Sequence, residues 1–158
     1  MNAEQKLIPP AVGEIWPGQG GIYAGIMPAR NGQEAYHLIL GDELGRFEWG
    51  PYGEESPATS LIDGQSNTLD LLEHGEYPAA KAAAAHNADG HTDFYLPAIA
   101  ELYEAWMNIG YKDWYWLWSS SQRSAYTAFY VGFVGGLQLF SAKGHELRVR
   151  PVRRLAIQ

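Results

Sequence analysis

Several groups of side chains in this sequence could perform chemistry. The first is Asp89-Gly-His91-Thr-Asp93, in which alternate carboxylate and imidazole groups could bind a metal ion. The alternative is a structural turn at Asp89–Gly90, with Asp93 accepting hydrogen bonds from backbone amides ahead of a helix. Because the motif is short and has no distant partner in the sequence, we favour the turn and expect neither a metal ion nor another cofactor.

Histidines and serines form a second set of reactive groups. The five histidines include no pair at the i, i+4 spacing of a helical metal site. Ser119, Ser120 and Ser121 could supply a hydrolytic nucleophile, but the Gly-x-Ser-x-Gly elbow is absent from the sequence. Serines that follow a tryptophan-rich strand more simply satisfy backbone groups at its end. Since no nucleophile–base pair has a recognisable spacing, we expect the protein not to be an enzyme.

Arginines cluster near the C-terminus, where their guanidinium groups could bind phosphate or sulfated glycans. From Ser119 onward the chain has six basic residues and one acidic residue, whereas residues 1–118 have five basic and seventeen acidic residues. The two parts, +5 and −12, sum to the net charge of −7. This excess of carboxylates favours internal pairing instead. The cluster comprises Arg148, Arg150, Arg153 and Arg154.

A predicted β-hairpin close to the C-terminus concentrates apolar and aromatic side chains. On its first strand, Phe129, Val131 and Phe133 share one parity and are expected to form core. Tyr130 and Val134 then point to the opposite face. On the return strand, which carries Leu137, Leu139 and Phe140, adjacent residues point to opposite faces. At least one more apolar side chain is therefore exposed. Clustered exposed apolar groups indicate an interaction patch, unless a loop or another subunit covers them.

The ligand-binding face predicted from this pattern adds polar groups from the loop before the hairpin. Tyrosines supply contact area at low entropic cost, while arginine and glutamine orient a ligand. The predicted face consists of Gln122, Arg123, Tyr126, Tyr130, Gly132, Val134, Leu137, Leu139 and Phe140.

Composition restricts the class of protein that these groups belong to. A chain of 158 residues with 46% hydrophobic and 18% charged residues indicates one globular domain with a substantial core. The absence of cysteine excludes a disulfide scaffold, a thiolate metal site and a cysteine nucleophile. The acidic net charge argues against general nucleic-acid binding. We also expect no membrane insertion and no secretion signal, because no apolar run approaches about 18 residues and the N-terminus lacks a signal pattern.

The predicted elements follow one another in an α+β order. Residues 1–12 are predicted to form an arm, and residues 13–158 one domain. A hairpin spans 22–40, with a turn at Asn31–Gly32, and a short third strand and an irregular loop follow it. Helices are predicted at 67–73, capped by Ser66 or Asn67, at 78–86 and at 96–108. Later strands are predicted at 114–119, 127–134, 137–141 and 146–152.

The helix at 96–108 has the clearest pattern of the predicted elements. Ile99, Leu102 and Trp106 lie on one apolar stripe, which predicts the face that packs on the core. Glu101 and Glu104 are expected on the opposite side.

Nine short segments, in their order along the chain, carry a family resemblance. They are GGIYAGI (20–26), YHLIL (36–40), WGPYG (49–53), GQSNT (64–68), DFYLPAIAELYEAW (93–106), WSSS (118–121), AFYVGF (128–133), GLQLFSAK (136–143) and RVRPVRR (148–154). With them the chain resembles, from about residue 13 to residue 155, a bacterial and phage domain family with a C-type-lectin-like fold. That family includes the C-terminal domain of a collagen-like adhesin and is related in fold to formylglycine-generating enzymes and to retroelement-diversified variable proteins.

The resemblance implies a recognition domain of phage or prophage origin that binds a host-surface protein or glycan. It would act in tail-associated receptor binding, or as a diversified variable protein, and would occur in the virion or in the bacterial cytoplasm before assembly. The alternative is a virion assembly or decoration protein whose C-terminal hairpin is a subunit interface, in a homo-oligomer such as a trimer or with other virion proteins. The cysteine pair of the oxidases and the Glu-Pro-Asn or Gln-Pro-Asp loop of calcium-dependent lectins are missing. Neither activity is therefore expected.

Overall fold

The protein has a mixed α+β architecture, with three helices and nine strands between residues 7 and 158, the part of the chain that this computed structural model describes. The strands are β1 (Ile15–Trp16), β2 (Gly21–Met27), β3 (Tyr36–Leu40), β4 (Arg46–Glu48), β5 (Trp116–Gln122), β6 (Thr127–Gly132), β7 (Leu137–Ala142), β8 (Glu146–Arg148) and β9 (Val152–Ala156). The helices are α1 (Gly64–His74), α2 (Pro78–Ala85) and α3 (Ile99–Ile109). The predicted α+β class is confirmed.

Two further observations concern the chain as a whole. The predicted arm at 1–12 lies partly outside the described residues, and its described part, 7–12, forms no helix or strand. None of the helices within residues 7–158 is long and apolar enough to cross a bilayer.

The first sheet has the strand order β1-β2-β3-β9, and every neighbouring pair in it is antiparallel. β2 and β3 form the hairpin predicted for residues 22–40. Its loop contains the predicted turn at Asn31–Gly32, where φ is 46° and 81° and the flanking Arg30 and Gln33 pair with each other. Asparagine and glycine adopt this left-handed backbone readily, which is why the turn could be predicted.

The single strand predicted at 146–152 is wrong, because the structure divides that segment between two sheets. β8 pairs with β4, whereas β9 pairs with β3 along its whole length. Pro151 lies between the two strands and lacks the N–H group that a sheet ladder requires. The last strand is thereby joined to the N-terminal hairpin, and Val152 also pairs with Tyr95 ahead of α3.

The second sheet has the order β4-β8-β5-β6-β7. β5, which was predicted at 114–119, begins and ends later than expected, and it runs parallel to β8 with Leu117 and Arg148 as the paired residues. β6 and β7 form the predicted return hairpin, with six paired positions. Within the described chain no strand lies on the outer side of β7, so this strand is an edge of the sheet.

The helices differ from their predicted bounds mainly at their N-termini. α1 begins before the predicted 67–73 because Asp63, rather than Ser66 or Asn67, caps it. The Asp63 carboxylate accepts a hydrogen bond from the Ser66 backbone N–H at 3.0 Å, as a capping residue does. α2 begins at Pro78 as predicted, and three of its alanines are buried in close packing with their neighbours.

α3 buries its apolar stripe, and it also buries the Glu101 carboxylate, which the helical spacing predicted to face solvent. Ile99 and Leu102 are buried as predicted. Glu101, expected to face outward, is buried as well, because one of its oxygens accepts hydrogen bonds from the hydroxyl groups of Tyr36 and Tyr95. Its other oxygen accepts from two backbone N–H groups, so the buried carboxylate is satisfied on both oxygens.

The second sheet separates the two largest groups of buried side chains. One group, which includes Leu38, Leu102 and Val131, fills the space between the first sheet, α3 and one face of the second sheet. The other group lies on the opposite face, with α2 and the loop after β4, and includes Trp49 and Trp118. Both faces of β5 and of much of β6 are therefore covered.

Three of the four C-terminal arginines pair with carboxylates earlier in the chain, which confirms the predicted internal pairing for these three. The ion pairs are Arg148–Glu43 at 3.2 Å, Arg153–Asp93 at 2.8 Å and Arg154–Asp63 at 2.7 Å. Arg150 was expected to be the most internal because it lies within the RVRPVRR segment of the resemblance, but it is only partly buried, whereas Arg153 is buried. The guanidinium group of Arg150 lies over the Trp114 ring at 3.9 Å and donates a hydrogen bond to the Gly41 carbonyl.

Candidate binding surface

The segment considered as a metal loop forms a tight turn. Asp89 and Gly90 have φ angles of 51° and 81°, and the flanking Ala88 and His91 pair with each other. The Asp89 carboxylate accepts a hydrogen bond from the Gly20 backbone N–H at 2.9 Å. The predicted turn is therefore present. Among residues 7–158 there is no group of three or more histidine, cysteine, aspartate and glutamate side chains placed to hold a metal ion.

Asp93, expected to accept hydrogen bonds from backbone amides, pairs with Arg153 instead. Burial acts to raise the pKa of Asp93, but the hydrogen bond and the positive charge of Arg153 outweigh it, so the pKa lies below its usual value.

The three consecutive serines are buried and bonded inside the protein. The Ser119 hydroxyl donates to the Phe129 carbonyl at 2.7 Å, and the Ser121 hydroxyl donates to the Ser60 carbonyl at 2.8 Å. Ser120 accepts a hydrogen bond from the Asn67 side chain at 3.2 Å. Their predicted structural role is confirmed, because these hydroxyl groups join β5 to its neighbours rather than facing a solvent-filled site.

The nine predicted binding residues separate into exposed and buried positions. Six of them are exposed: Arg123, Tyr126, Val134, Leu137, Leu139 and Phe140. Gln122, Tyr130 and Gly132 are buried, and the prediction that these three contact a ligand directly is not supported by their positions.

Tyr130 was expected to face outward and is only 6% exposed. Its ring packs against Trp116, with centroids 5.6 Å apart, and it belongs to the same buried group as Trp118. Of the three residues predicted as core, Val131 and Phe133 are buried and Phe129 is partly buried against the same group, but the opposite face is covered too. Burial raises the pKa of the Tyr130 hydroxyl.

Gln122 acts as an anchor for the loop that follows β4. Its side-chain oxygen accepts hydrogen bonds from the Ser56 backbone N–H at 2.8 Å and from the Lys143 ammonium group at 2.7 Å. Its amide nitrogen donates to the Glu55 carboxylate at 2.8 Å. The Lys143 side chain is itself buried, which lowers its pKa, and also donates to the Glu54 carbonyl. These bonds fix the loop beside the β5–β6 turn.

Gly132 provides space for an aromatic ring. The Trp116 indole lies against it, so that a Cβ atom at position 132 would lie 3.2 Å from Cδ1 of Trp116. An alanine at this position would require the indole to move by a few tenths of an ångström, and a larger residue would require more. Gly132 therefore determines where Trp116, a residue absent from the predicted face, presents its ring.

An exposed apolar surface runs across β5, β6 and β7, and we call it the hairpin face. The register places Trp116, Gly132 and Leu137 in one row and Trp118, Tyr130 and Leu139 in the next. The side chains that reach solvent are Trp116, Leu137 and Leu139, which are 53%, 52% and 40% exposed. Trp118, Tyr130 and Gly132 form the buried floor beneath them.

A pair of exposed tyrosines lies at the end of the hairpin where β5 turns into β6. The rings of Tyr52 and Tyr126 are 5.1 Å apart and tilted by 57°, and both are more than half exposed. The Gly53 backbone N–H donates to the Ala125 carbonyl at 2.9 Å, which holds the two loops together. Tyr126 was predicted, whereas Tyr52 was missed because its loop has no periodic pattern.

Phe140 and Arg123 belong to the other face of the second sheet. Phe140 pairs with Phe129 across β6 and β7, so it points away from Leu139. The Arg123 guanidinium group lies over the Phe140 ring at 3.7 Å. The predicted residues therefore do not form a single surface: Leu137 and Leu139 are on the hairpin face, while these two side chains are behind it.

The fold and this surface define an α+β domain with an exposed aromatic and aliphatic sheet face. No protein-family model matches the chain, and no curated protein matches it.

Proposed function

We propose that the protein is a non-enzymatic recognition domain with a C-type-lectin-like fold, and that it binds its ligand through the hairpin face and the tyrosine pair at the β5–β6 turn. The observation that carries the proposal is the group of exposed side chains Trp116, Leu137 and Leu139, which lie in two neighbouring rows of a hydrogen-bonded sheet. An apolar surface on a rigid scaffold is typical of a protein-interaction site, since it pays little ordering entropy on binding.

The topology supports the choice of fold. β9 returns the chain to β3, so the two ends of the domain share one sheet while the second sheet and its loops face away from them. The long irregular loop between β4 and α1 is held by buried hydrogen bonds such as those of Gln122. This arrangement agrees with the nine sequence segments that resemble C-type-lectin-like domains.

The biological setting of the proposal comes from the resemblance. It is a phage or prophage protein, with tail-associated binding to a host-surface protein or glycan, and it occurs in the virion or in the bacterial cytoplasm before assembly. A retroelement-diversified version of the proposal requires a template repeat and a reverse-transcriptase gene beside the coding sequence. Their absence from the genomic neighbourhood would exclude that version.

The test replaces exposed side chains of the hairpin face without changing its floor. Leu137→Ala together with Leu139→Ala should reduce binding to host cells by about tenfold, because burying the exposed half of each leucine side chain under a ligand contributes about 1 kcal/mol. Tyr126→Ala should add to this loss. Ile26→Ala is the matched control, since Ile26 is an equally exposed aliphatic residue on the first sheet. Undiminished binding by a folded leucine variant would contradict the proposal.

The second candidate is a virion structural protein whose hairpin is a subunit interface. The free edge of β7 favours it, since natural edge strands usually carry charges or proline, yet no residue from Ser124 to Ala142 is charged. Light scattering on the purified chain separates the two candidates. An oligomer that Leu139→Lys dissociates supports the interface, whereas a monomer with an intact binding activity supports recognition.

A further inference from the structure

A cavity of about 440 Å³ opens between the start of β5 and the strands β4 and β8. We propose that this cavity binds a neutral saccharide ring. It is lined by Arg46, Tyr115, Trp116, Glu146, Leu147 and Arg148. The inference rests on the proposed recognition function, because it assigns a ligand class to a cavity that shares Trp116 with the hairpin face.

The walls of the cavity offer flat aromatic surfaces to a ligand. Tyr115 and Trp116 are both more than half exposed. The C–H groups on one face of a pyranose ring form a weakly positive apolar patch, which packs well on the negative face of an aromatic ring. The volume lies toward the lower end of the ~300–1,000 Å³ that small-molecule sites occupy.

The backbone at Tyr115 is held in an unfavourable conformation at this wall. Its φ angle is 59°, in the left-handed region that bulky residues rarely adopt. The Tyr115 carbonyl accepts a hydrogen bond from the Phe133 N–H at 2.8 Å, and the Arg148 guanidinium group lies over its ring at 4.4 Å. A strained residue that is fixed by its surroundings and points a ring into a cavity is typical of a ligand site.

Two charged side chains of the cavity have no ion-pair partner. Arg148 is engaged by Glu43, but neither Arg46 nor Glu146 takes part in an ion pair within residues 7–158. The guanidinium group of Arg46 offers only donors and the carboxylate of Glu146 only acceptors. Adjacent hydroxyl groups of a sugar are both donors and acceptors, so they can bind the two side chains at once.

The balance of charge selects a neutral ligand. Arg46 and Arg148 are paired positions on β4 and β8, an arrangement that is unfavourable for like charges. Glu146 and the ion-paired Glu43 offset these two positive charges. The Glu146 carboxylate would repel an anionic sugar, and the Arg46 guanidinium group would repel a cationic sugar. Neither side chain repels a neutral sugar.

The test is saturation-transfer NMR on the whole chain, with the methyl glycosides of glucose, galactose, mannose and N-acetylglucosamine as probes. We expect transfer to the ring C–H protons of at least one of them. Tyr115→Ala and Glu146→Gln should each weaken its binding by about tenfold or more, since each removes a main contact. Glu48→Gln is the matched control, because Glu48 pairs with Glu146 across the strands but does not line the cavity.

The outcomes separate the cavity from the hairpin face. Absence of transfer from all four glycosides, unchanged binding in both cavity variants, or tighter binding of glucuronate or glucosamine would overturn the inference. Leu139→Ala should leave saccharide binding unchanged while it weakens binding to host cells. If the cavity variants bind sugars normally but Leu139→Ala still weakens cell binding, the saccharide site is wrong and the recognition function stands. If sugars bind as expected and the leucine variants bind cells normally, the saccharide site stands without the hairpin-face function.

Discussion

Single residues in this protein matter mostly through the ring or backbone that they hold in place. Gly132 determines the position of Trp116, and Gln122 fixes the loop that carries Tyr52. Tyr115 differs from these, because its own backbone is in the left-handed region while its ring faces solvent. Its backbone conformation is therefore unfavourable for a tyrosine and is held by the surrounding structure.

Replacing Tyr115 separates the strain from the contacts of the ring. Left-handed backbone costs about 1–2 kcal/mol for an ordinary residue, whereas glycine avoids this cost but has about 0.4–1 kcal/mol more entropy to lose on folding. Tyr115→Gly should therefore be about 0.5–1 kcal/mol more stable than Tyr115→Ala. Urea unfolding of the two variants, which lack the same ring, measures this difference. Equal stabilities, or a more stable alanine variant, would mean that the left-handed backbone is not strained.

The residue-scale errors of the sequence prediction have one physical origin. The parity of β6 correctly placed Val131 and Phe133 in the core, but alternation alone does not reveal whether the opposite face is covered. α2 and the loop after β4 cover it, so Tyr130 and Gln122 are buried. These covering elements are distant in sequence and irregular, and no local pattern connects them to the strand.

Some elements of the fold are held by contacts at their ends. α1 is an example, because Asp63 caps its N-terminus and also pairs with Arg154 of β9 at 2.7 Å. One carboxylate thereby joins a helix to the last strand of the first sheet. The two roles of Asp63 are the cap of α1 and the ion pair with Arg154. They can be separated by comparing one substitution that keeps only the cap with another that removes both.

Asp63→Ala should lower the free energy of unfolding by about 1–2 kcal/mol, since it removes both the cap and a partly exposed ion pair. Asp63→Asn should cost less than about 1 kcal/mol, because asparagine still caps the helix. Chemical denaturation of both variants gives the comparison. An asparagine variant as unstable as the alanine variant would assign the stabilisation to the ion pair with Arg154 and not to the cap.

The elements could be predicted where local chemistry determines them. The Asn31–Gly32 turn, the return hairpin and the first turn of α2 at Pro78 all follow from residues adjacent in sequence. The division of residues 146–156 into β8 and β9 could not be predicted, because each piece is placed by a partner, β4 or β3, about a hundred residues earlier. The edge position of β7 likewise depends on the order of the whole sheet.

At the scale of the whole molecule, the uneven charge distribution stabilises the packing of the C-terminal part against the rest of the chain. The positive C-terminal part pairs with carboxylates spread over the negative remainder, at Glu43, Asp63 and Asp93. The predicted face contributes little to this pattern, since the hairpin from Ser124 to Ala142 has no charge. The ion pairs therefore stabilise the fold, and the uncharged hairpin takes no part in them.

The first sheet contains a buried group that couples this stability to pH. His37 of β3 lies among Trp16, Tyr23 and Ile39, and its Nδ1 atom is 2.7 Å from the Tyr23 hydroxyl oxygen. Burial lowers the pKa of His37, so the folded protein prefers the neutral imidazole. The unfolded chain has the ordinary value of about 6.5 and takes up the proton first as the pH falls.

The free energy of unfolding should therefore decrease as the pH falls below about 6.5, by at most about 1.4 kcal/mol per pH unit from this group. Above about pH 7.5 the imidazole is neutral in both states and contributes no slope. His37→Gln keeps a hydrogen-bonding partner for Tyr23 but does not titrate, so the stability difference between wild type and variant isolates the histidine. Urea unfolding at pH 8, 7, 6 and 5 measures it. A difference that is constant over this range, or that favours the wild type more strongly at pH 5, would contradict the assignment, because it would mean that folding does not exclude the proton from His37.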